Sequence, residues 1–218
     1  MTSDSRSSHG PLVAILAAGS ARRFGGGKLD APLGGRALGA WALANAAESG
    51  FEIAVVVGSS PPPFALEAQA RSGIRLIDNP HAAQGMGTSV ACAARAAMTG
   101  GHAGLIVLLA DMPFVDGPAL ATLIHPDHAT FARHSGDMGG PPAWIPARLL
   151  PRLNGLTGER GARSALAGED MELVDWPAAQ LVDIDTPETL DRARDLIERP
   201  PDSAEISGAL PGASHGIG

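Results

Sequence analysis

The stretch richest in chemical possibility lies near the start of the chain: Leu16-Ala17-Ala18-Gly19-Ser20-Ala21-Arg22-Arg23-Phe24-Gly25-Gly26-Gly27-Lys28. Small residues from Ala17 to Ala21 let a ligand approach the main chain. Glycines supply unusual dihedrals, and Arg22, Arg23 and Lys28 gather positive charge at one place. Such a loop suits a polyphosphate. Two familiar phosphate loops are excluded. A Walker A loop needs glycine where Arg22 stands and Ser or Thr where Leu29 stands. From Gly25 and Gly27, the third glycine of a dinucleotide fingerprint would fall at Asp30.

Carboxylates are the natural counterpart. Asp111 directly follows the apolar run from Leu105 to Ala110, and ligand groups in open α/β sheets project from the carboxyl ends of strands. Asp183 and Asp185 flank Ile184. Leu181, Val182 and Ile184 predict a short strand there, whose alternation puts both aspartates on one side. Thr186 before Pro187 predicts the start of a further helix.

Two other segments carry polar potential. Asn79-Pro80 through Gly85-Met86-Gly87-Thr88-Ser89 reads as a loop entering a helix capped by Gly87 or Thr88, with amides that could read a base. Thr157 to Arg163 precedes another helix, where backbone amides with Arg160 and Arg163 could hold the phosphate of an acceptor. His81 reads as a loop residue. His125, His128 and His134 are irregularly spaced and read as surface residues, not as a zinc site.

These residues need a frame. Pro11 to Leu16, Ile53 to Val57 and Leu105 to Ala110 are short apolar runs of the kind buried on both faces of a parallel sheet. Between them the pattern predicts helices over Ala37–Ser49, stopped by Gly50, and Phe64–Arg71, a strand over Ile74–Ile77, and an alanine-rich helix to about Met98. A helix from near Asp116 ends before His125. Ala129–Ala132 and Ala143–Ile145 predict a hairpin-type excursion over the acceptor side, and the last helix runs to about Arg199. Alternating strand and helix implies an α/β fold.

The chain has 218 residues and a net charge of −7, which suits one domain over residues 11–199 and argues against nucleic-acid binding. Residues 1–10 and 200–218 read as a disordered leader and tail. No apolar run can span a membrane and Met1–Gly10 lacks a signal-peptide core, so a cytoplasmic location is expected. The lone cysteine, Cys92, excludes an internal disulfide and reads as a core residue on a helix.

Leu16-Ala17-Ala18-Gly19, then Arg23-Phe24-Gly25, Lys28 and Pro32-Leu33-Gly34-Gly35 resemble the opening of the MobA/MocA group of nucleotidyltransferases, most closely the molybdenum cofactor cytidylyltransferases. The block ending Gly85-Met86-Gly87-Thr88-Ser89, Leu109-Ala110-Asp111-Met112-Pro113, Gly139-Gly140-Pro141 and Gly158-Glu159-Arg160-Gly161-Ala162-Arg163 follow in the group's order, with Glu159 where the group has aspartate. The resemblance implies a Rossmann-like three-layer αβα sandwich of the nucleotide-diphospho-sugar transferase type, with a mostly parallel sheet and a small antiparallel excursion. It implies transfer of CMP from CTP to molybdopterin with release of pyrophosphate, for the benefit of a molybdoenzyme. Arg23, Lys28 and Asp111 would be catalytic. Leu16, Ala17, Ala18, Gly19, Arg23, Lys28, Gly85, Met86 and Ser89 would bind the nucleotide. Asp111 and Asp183 would hold Mg²⁺, or Mn²⁺, with Asp185 as the alternative second ligand and otherwise the cap of the last helix, and Gly140, Pro141, Arg160 and Arg163 would bind the acceptor. Ala18, where guanylyltransferases tend to carry glycine, favours CTP over GTP. A sugar-phosphate or polyol-phosphate nucleotidyltransferase is an alternative within the class, and a non-catalytic protein that delivers molybdenum cofactor is one outside it.

Overall fold

The structure, a computed structural model, describes residues 9–19, 24 and 26–198. In chain order its strands are β1 (Leu12–Leu16), β2 (Pro32–Leu33), β3 (Arg36–Ala37), β4 (Glu52–Val57), β5 (Arg75–Asp78), β6 (Gly104–Leu109), β7 (Ala129–His134), β8 (Met138–Pro146) and β9 (Met171–Val174). Its α-helices are α1 (Leu38–Ala47), α2 (Pro63–Ser72), α3 (Met86–Thr99), α4 (Ala162–Ala165) and α5 (Pro187–Glu198).

Among the described residues, seven strands form one sheet in the order β5-β4-β1-β6-β8-β7-β9. β5, β4, β1 and β6 run parallel, β8 is antiparallel to both β6 and β7, and β9 runs parallel to β7. After β1 the chain winds outward through β4 and β5, then returns through α3 to place β6 on the opposite side of β1. The carboxyl ends of β1 and β6 therefore flank the point where the winding reverses, and crevices form there.

Alternation along β1 divides the core. Leu12, Ala14 and Leu16 pack on the face covered by α3 and residues 147–153, while Val13 and Ile15 pack on the face covered by α1 and α2. A third cluster joins Leu33 and Leu38 to Ile184, Leu190 and Ala193, so α5 seats against the β2–β3 hairpin. That hairpin turns through Gly34 (φ 52°) and Gly35 (φ 82°), and a side chain on Gly34 would meet Ile197 of α5 at 2.8 Å.

Several expectations need correction. The hairpin of β7 and β8 is part of the main sheet, because β8 completes a ladder with β6 from Gly104 to Val107. The segment expected to be helical from Asp116 is a 3₁₀ helix over Pro118–Leu123. α3 begins at Met86 after Gly85, and neither Gly87 nor Thr88 caps it; the Thr88 hydroxyl donates back to the Gly85 and His81 carbonyls. No strand forms at Leu181–Ile184; residues 178–181 make a 3₁₀ turn, and the Ile184 amide donates to the Asp111 carbonyl at 3.0 Å. Of the expected leader, His9 and Gly10 belong to the fold: the Ala103 amide donates to the His9 carbonyl, and the buried His102 ring bonds the Gly10 carbonyl. Residues 1–8 and the expected tail lie outside the described residues.

Candidate active site

Lys28 is the centre of the site. It opens a 3₁₀ turn, Lys28–Asp30, entered through Gly27 at φ 63°, where a left-handed backbone requires glycine. Asp30 anchors that turn, its carboxylate accepting the Phe64 amide in the first turn of α2 at 3.0 Å. The Lys28 side chain is thereby held inside the protein, the residue only 8% exposed. Its ammonium donates to Asp111 Oδ2 at 2.6 Å and to Asp185 Oδ1 at 2.8 Å. Burial by itself would lower the lysine pKa. The charges and hydrogen bonds of Asp111 and then Asp185 outweigh it and hold Lys28 above its ordinary value.

The carboxylates arrive by two routes. The Ala110 amide bonds the Leu16 carbonyl at 3.1 Å, extending the β1–β6 ladder one residue and delivering Asp111 at its end. The bond from Ile184 to Asp111 and the burial of Ile184 then fix the segment that carries Asp183 and Asp185. Asp185 is turned inward to Lys28. At the start of α5 the Thr186 hydroxyl accepts the Thr189 amide at 3.2 Å. Asp183 remains exposed beside the cluster. Partial burial raises its pKa, a bond to its own backbone opposes this, and the neighbouring charges of Asp185 and Asp111 push it further up.

This cluster closes one end of a cleft of about 530 Å³, a size that fits a nucleotide-scale ligand. Leu16, Ala18 and Gly19 from the end of β1, and Leu109 and Asp111 from the end of β6, form its floor, while Ala82, Ala83, Gly85, Met86 and Ser89 form a wall. Ala17 does not line it. Strand alternation carries one residue past β1, so Ala17 turns into the opposite core at 5% exposure while its amide bonds Val56. Gly85 adopts φ 107°, and a side chain there would meet the Gly158 backbone at 2.4 Å. Together with the Gly87 amide bond to the Gly158 carbonyl at 2.9 Å, this close approach brings Glu159 to the rim.

A second, mostly apolar pocket of about 140 Å³ lies next to it, with Met86 shared between the two. Val107, Phe131, Gly140, Pro141, Ala143 and Arg163 are among its walls. Of the residues expected to bind the acceptor, Gly140, Pro141 and Arg163 thus come together. Arg160 does not join them: it is exposed, and its carbonyl packs beside Gly87. Arg23 and the rest of Ser20–Arg23, with Gly25, lie outside the described residues. His125 and His128 stack ring on ring and His128 reaches Glu172 at 2.8 Å, and neither lines the cleft.

The donor set suits a hard divalent cation. Asp111 Oδ1 is buried without a partner among the described residues, and the Lys28 ammonium sits as a positive charge between two carboxylates. No three His, Cys, Asp or Glu side chains among the described residues form a complete metal cage. Mg²⁺ in phosphate-handling sites needs only one or two carboxylates, with water and substrate phosphates completing the shell.

Local reading of the sequence missed the part played by Asp185, although its position two residues from Asp183 brought it within view. Lys28 meets its partners across sequence separations of 83 and 157 residues, which no spacing rule reports.

A cleft at the reversal point of a mostly parallel sheet, with a carboxylate at the end of β6 and a lysine and a second carboxylate brought beside it, is the ligand-site arrangement of an open α/β protein. The pattern of MobA-like NTP transferase domains matches residues 13–175, and the chain belongs to that family. The purine catabolism protein PucB of Bacillus subtilis is 33% identical over 201 residues, covering 83% of this chain and 94% of PucB. A nucleotidyl transferase structure from Methanothermobacter aligns with a TM-score of 0.72 at 22% identity, over 86% of this chain and 97% of its own. The molybdopterin-guanine dinucleotide biosynthesis protein A of Archaeoglobus fulgidus aligns with a TM-score of 0.65 at 23% identity, over 86% and 98%. These structures share the Rossmann-like α/β fold. No described helix is long and apolar enough to cross a membrane.

Proposed function

We propose that this protein transfers CMP from CTP to the terminal phosphate of molybdopterin, releasing pyrophosphate. The observation that carries the reading is Lys28 held between Asp111 and Asp185 at one end of a nucleotide-sized cleft. The acceptor phosphate attacks the α-phosphorus in line and pyrophosphate leaves, so the protein's task is to align two anions and offset their charge. Lys28, with Arg23, neutralises the triphosphate, and the Gly19 backbone lies beside the phosphates while Leu16, Ala18, Gly85, Met86 and Ser89 enclose the nucleoside. Asp111, together with Asp185 or the neighbouring Asp183, holds Mg²⁺, and Mn²⁺ suits the same oxygen ligands. A bound ion there would supply charge neutralisation for the phosphates. In this reading the acceptor approaches beside Gly140, Pro141 and Arg163, which line the smaller pocket next to Met86.

The similarity to a guanine dinucleotide biosynthesis protein keeps GTP as the second reading of the base. The name of PucB makes an enzyme of purine breakdown the first receiving molybdoenzyme to test. Pyrophosphate release with Mg²⁺ and molybdopterin, comparing CTP, GTP, ATP and UTP, decides among them. Release with CTP that is lost in Asp111→Ala supports the proposal, and a preference for GTP overturns the base assignment. Nucleotide binding without release from any of the four overturns transfer to molybdopterin, and leaves a delivery protein or another phosphate acceptor.

A further inference from the structure

Behind the nucleoside wall of the cleft lies a buried network with a fixed direction. Asn79, the residue after β5, is 1% exposed, and its backbone amide donates at 2.8 Å to the carbonyl of Val57, the last residue of β4. The His81 amide donates to Asn79 Oδ1 at 3.0 Å. A backbone N–H can only donate, so the side-chain oxygen is identified, and Nδ2 must be the atom facing Thr88 and Ser89. Both amide protons are then spent, one on Thr88 Oγ1 at 2.8 Å and one on Ser89 Oγ at 2.9 Å.

The consequence differs for the two hydroxyls. Thr88 passes its proton back to the His81 and Gly85 carbonyls at 3.1 and 2.8 Å, and its circuit is closed. Ser89 accepts from Asn79, keeps its own proton, and lines the cleft, with no acceptor for that proton among the described residues. We infer that Asn79 is a positioning residue that leaves the Ser89 proton available as a hydrogen-bond donor toward the nucleobase, so the wall favours a base edge presenting a carbonyl oxygen or an unprotonated ring nitrogen. The inference rests on the nucleotide reading of the cleft and adds the polarity of its recognition.

Asn79→Asp tests it with almost no change in size. A carboxylate can only accept, so Thr88 and Ser89 both turn their protons toward it and the donor into the cleft is withdrawn. Equilibrium binding of the four nucleoside triphosphates, with inorganic tripolyphosphate as a probe without a base, reads the effect. Asn79→Asp and Ser89→Ala should each weaken the preferred nucleotide about tenfold, and the double variant no more than either alone. Tripolyphosphate affinity should not change. Thr88→Val removes the bonds of the Thr88 hydroxyl to Asn79, His81 and Gly85 yet leaves the Asn79–Ser89 bond, so it should lower the melting temperature while retaining nucleotide affinity. Should Asn79→Asp fail to fold, Ser89→Ala and Thr88→Val still oppose each other.

Equal losses for nucleotide and tripolyphosphate, multiplying losses in the double variant, or loss of nucleotide affinity in Thr88→Val would each overturn the inference. Wild-type protein that binds tripolyphosphate but none of the nucleotides would overturn the nucleotide reading together with it. Tight nucleotide binding indifferent to Asn79→Asp would overturn the polarity alone.

Discussion

The two halves of the sheet carry different kinds of site. On the parallel side, the cleft is made at strand ends: Asp111 extends β6, Gly19 follows β1, and the crucial contacts join residues far apart in the chain. On the antiparallel side, the smaller pocket is walled by strand interiors, with Val107, Phe131 and Ala143 facing it from neighbouring strands. The first concentrates charge and the second is apolar apart from Arg163. Strand ends can present charge because they meet solvent and ligand without packing obligations, whereas side chains along a strand are committed to the core. Chemistry and shape are thereby assigned to opposite sides of β6.

If that division holds, the two sides should fail differently. Phe131→Ala empties a side chain that is 2% exposed and should cost about 3–5 kcal/mol of stability in urea unfolding, with nucleotide affinity preserved in the folded fraction. Asp111→Ala should do the reverse: pyrophosphate release should fall by about 100- to 1000-fold. Comparable nucleotide losses in both variants would break the comparison.

Lys28→Met comes next. It removes two charge-assisted bonds worth about 1.5–3 kcal/mol in stability and leaves carboxylates facing one another. Because Lys28 sits above its ordinary pKa of 10.5, its contribution is present throughout the neutral range and disappears only as pH rises past that value. If the metal takes the carboxylates as proposed, it competes with the ammonium for them, and in thermal unfolding Mg²⁺ should raise the melting temperature of Lys28→Met more than that of the wild type. An equal or smaller gain would show that the metal binds elsewhere.

The smallest effect belongs to Asp183. Its folded pKa lies above the ordinary 3.8, so the native state binds the proton more tightly than the unfolded chain, and stability falls as pH rises from that value through the raised one. In chelator, Asp183→Asn should match the wild type at the acid end and be slightly more stable at neutral pH. A variant less stable at neutral pH would contradict the crowding of carboxylates.

The sequence made the buried parallel strands legible because both faces of β1, β4 and β6 lie in the core and their apolar runs are unbroken. It also located the strand-end aspartate at 111. It failed where partners decide conformation. Leu181, Val182 and Ile184 have the composition of a strand, yet the Ile184 amide finds its acceptor at Asp111 and not in a ladder. β9 went unread because Met171-Glu172-Leu173-Val174 is short, lies at the sheet edge and owes its form to pairing with β7. At the site, a shift of one residue separates Ala17 in the core from Ala18 in the cleft, and no local composition rule distinguishes two alanines.

The single hydrogen bond from Ile184 to Asp111 has a consequence for the order in which the protein is made. Lys28 and Asp111 leave the ribosome long before Asp185 does, and domains begin folding during synthesis from the amino-terminal side. A nascent chain halted before residue 184 has the central strands of the sheet but lacks both the clasp onto Asp111 and the second carboxylate on Lys28. The charged centre of the site is therefore a late product of translation, completed only when the last part of the fold docks onto its middle.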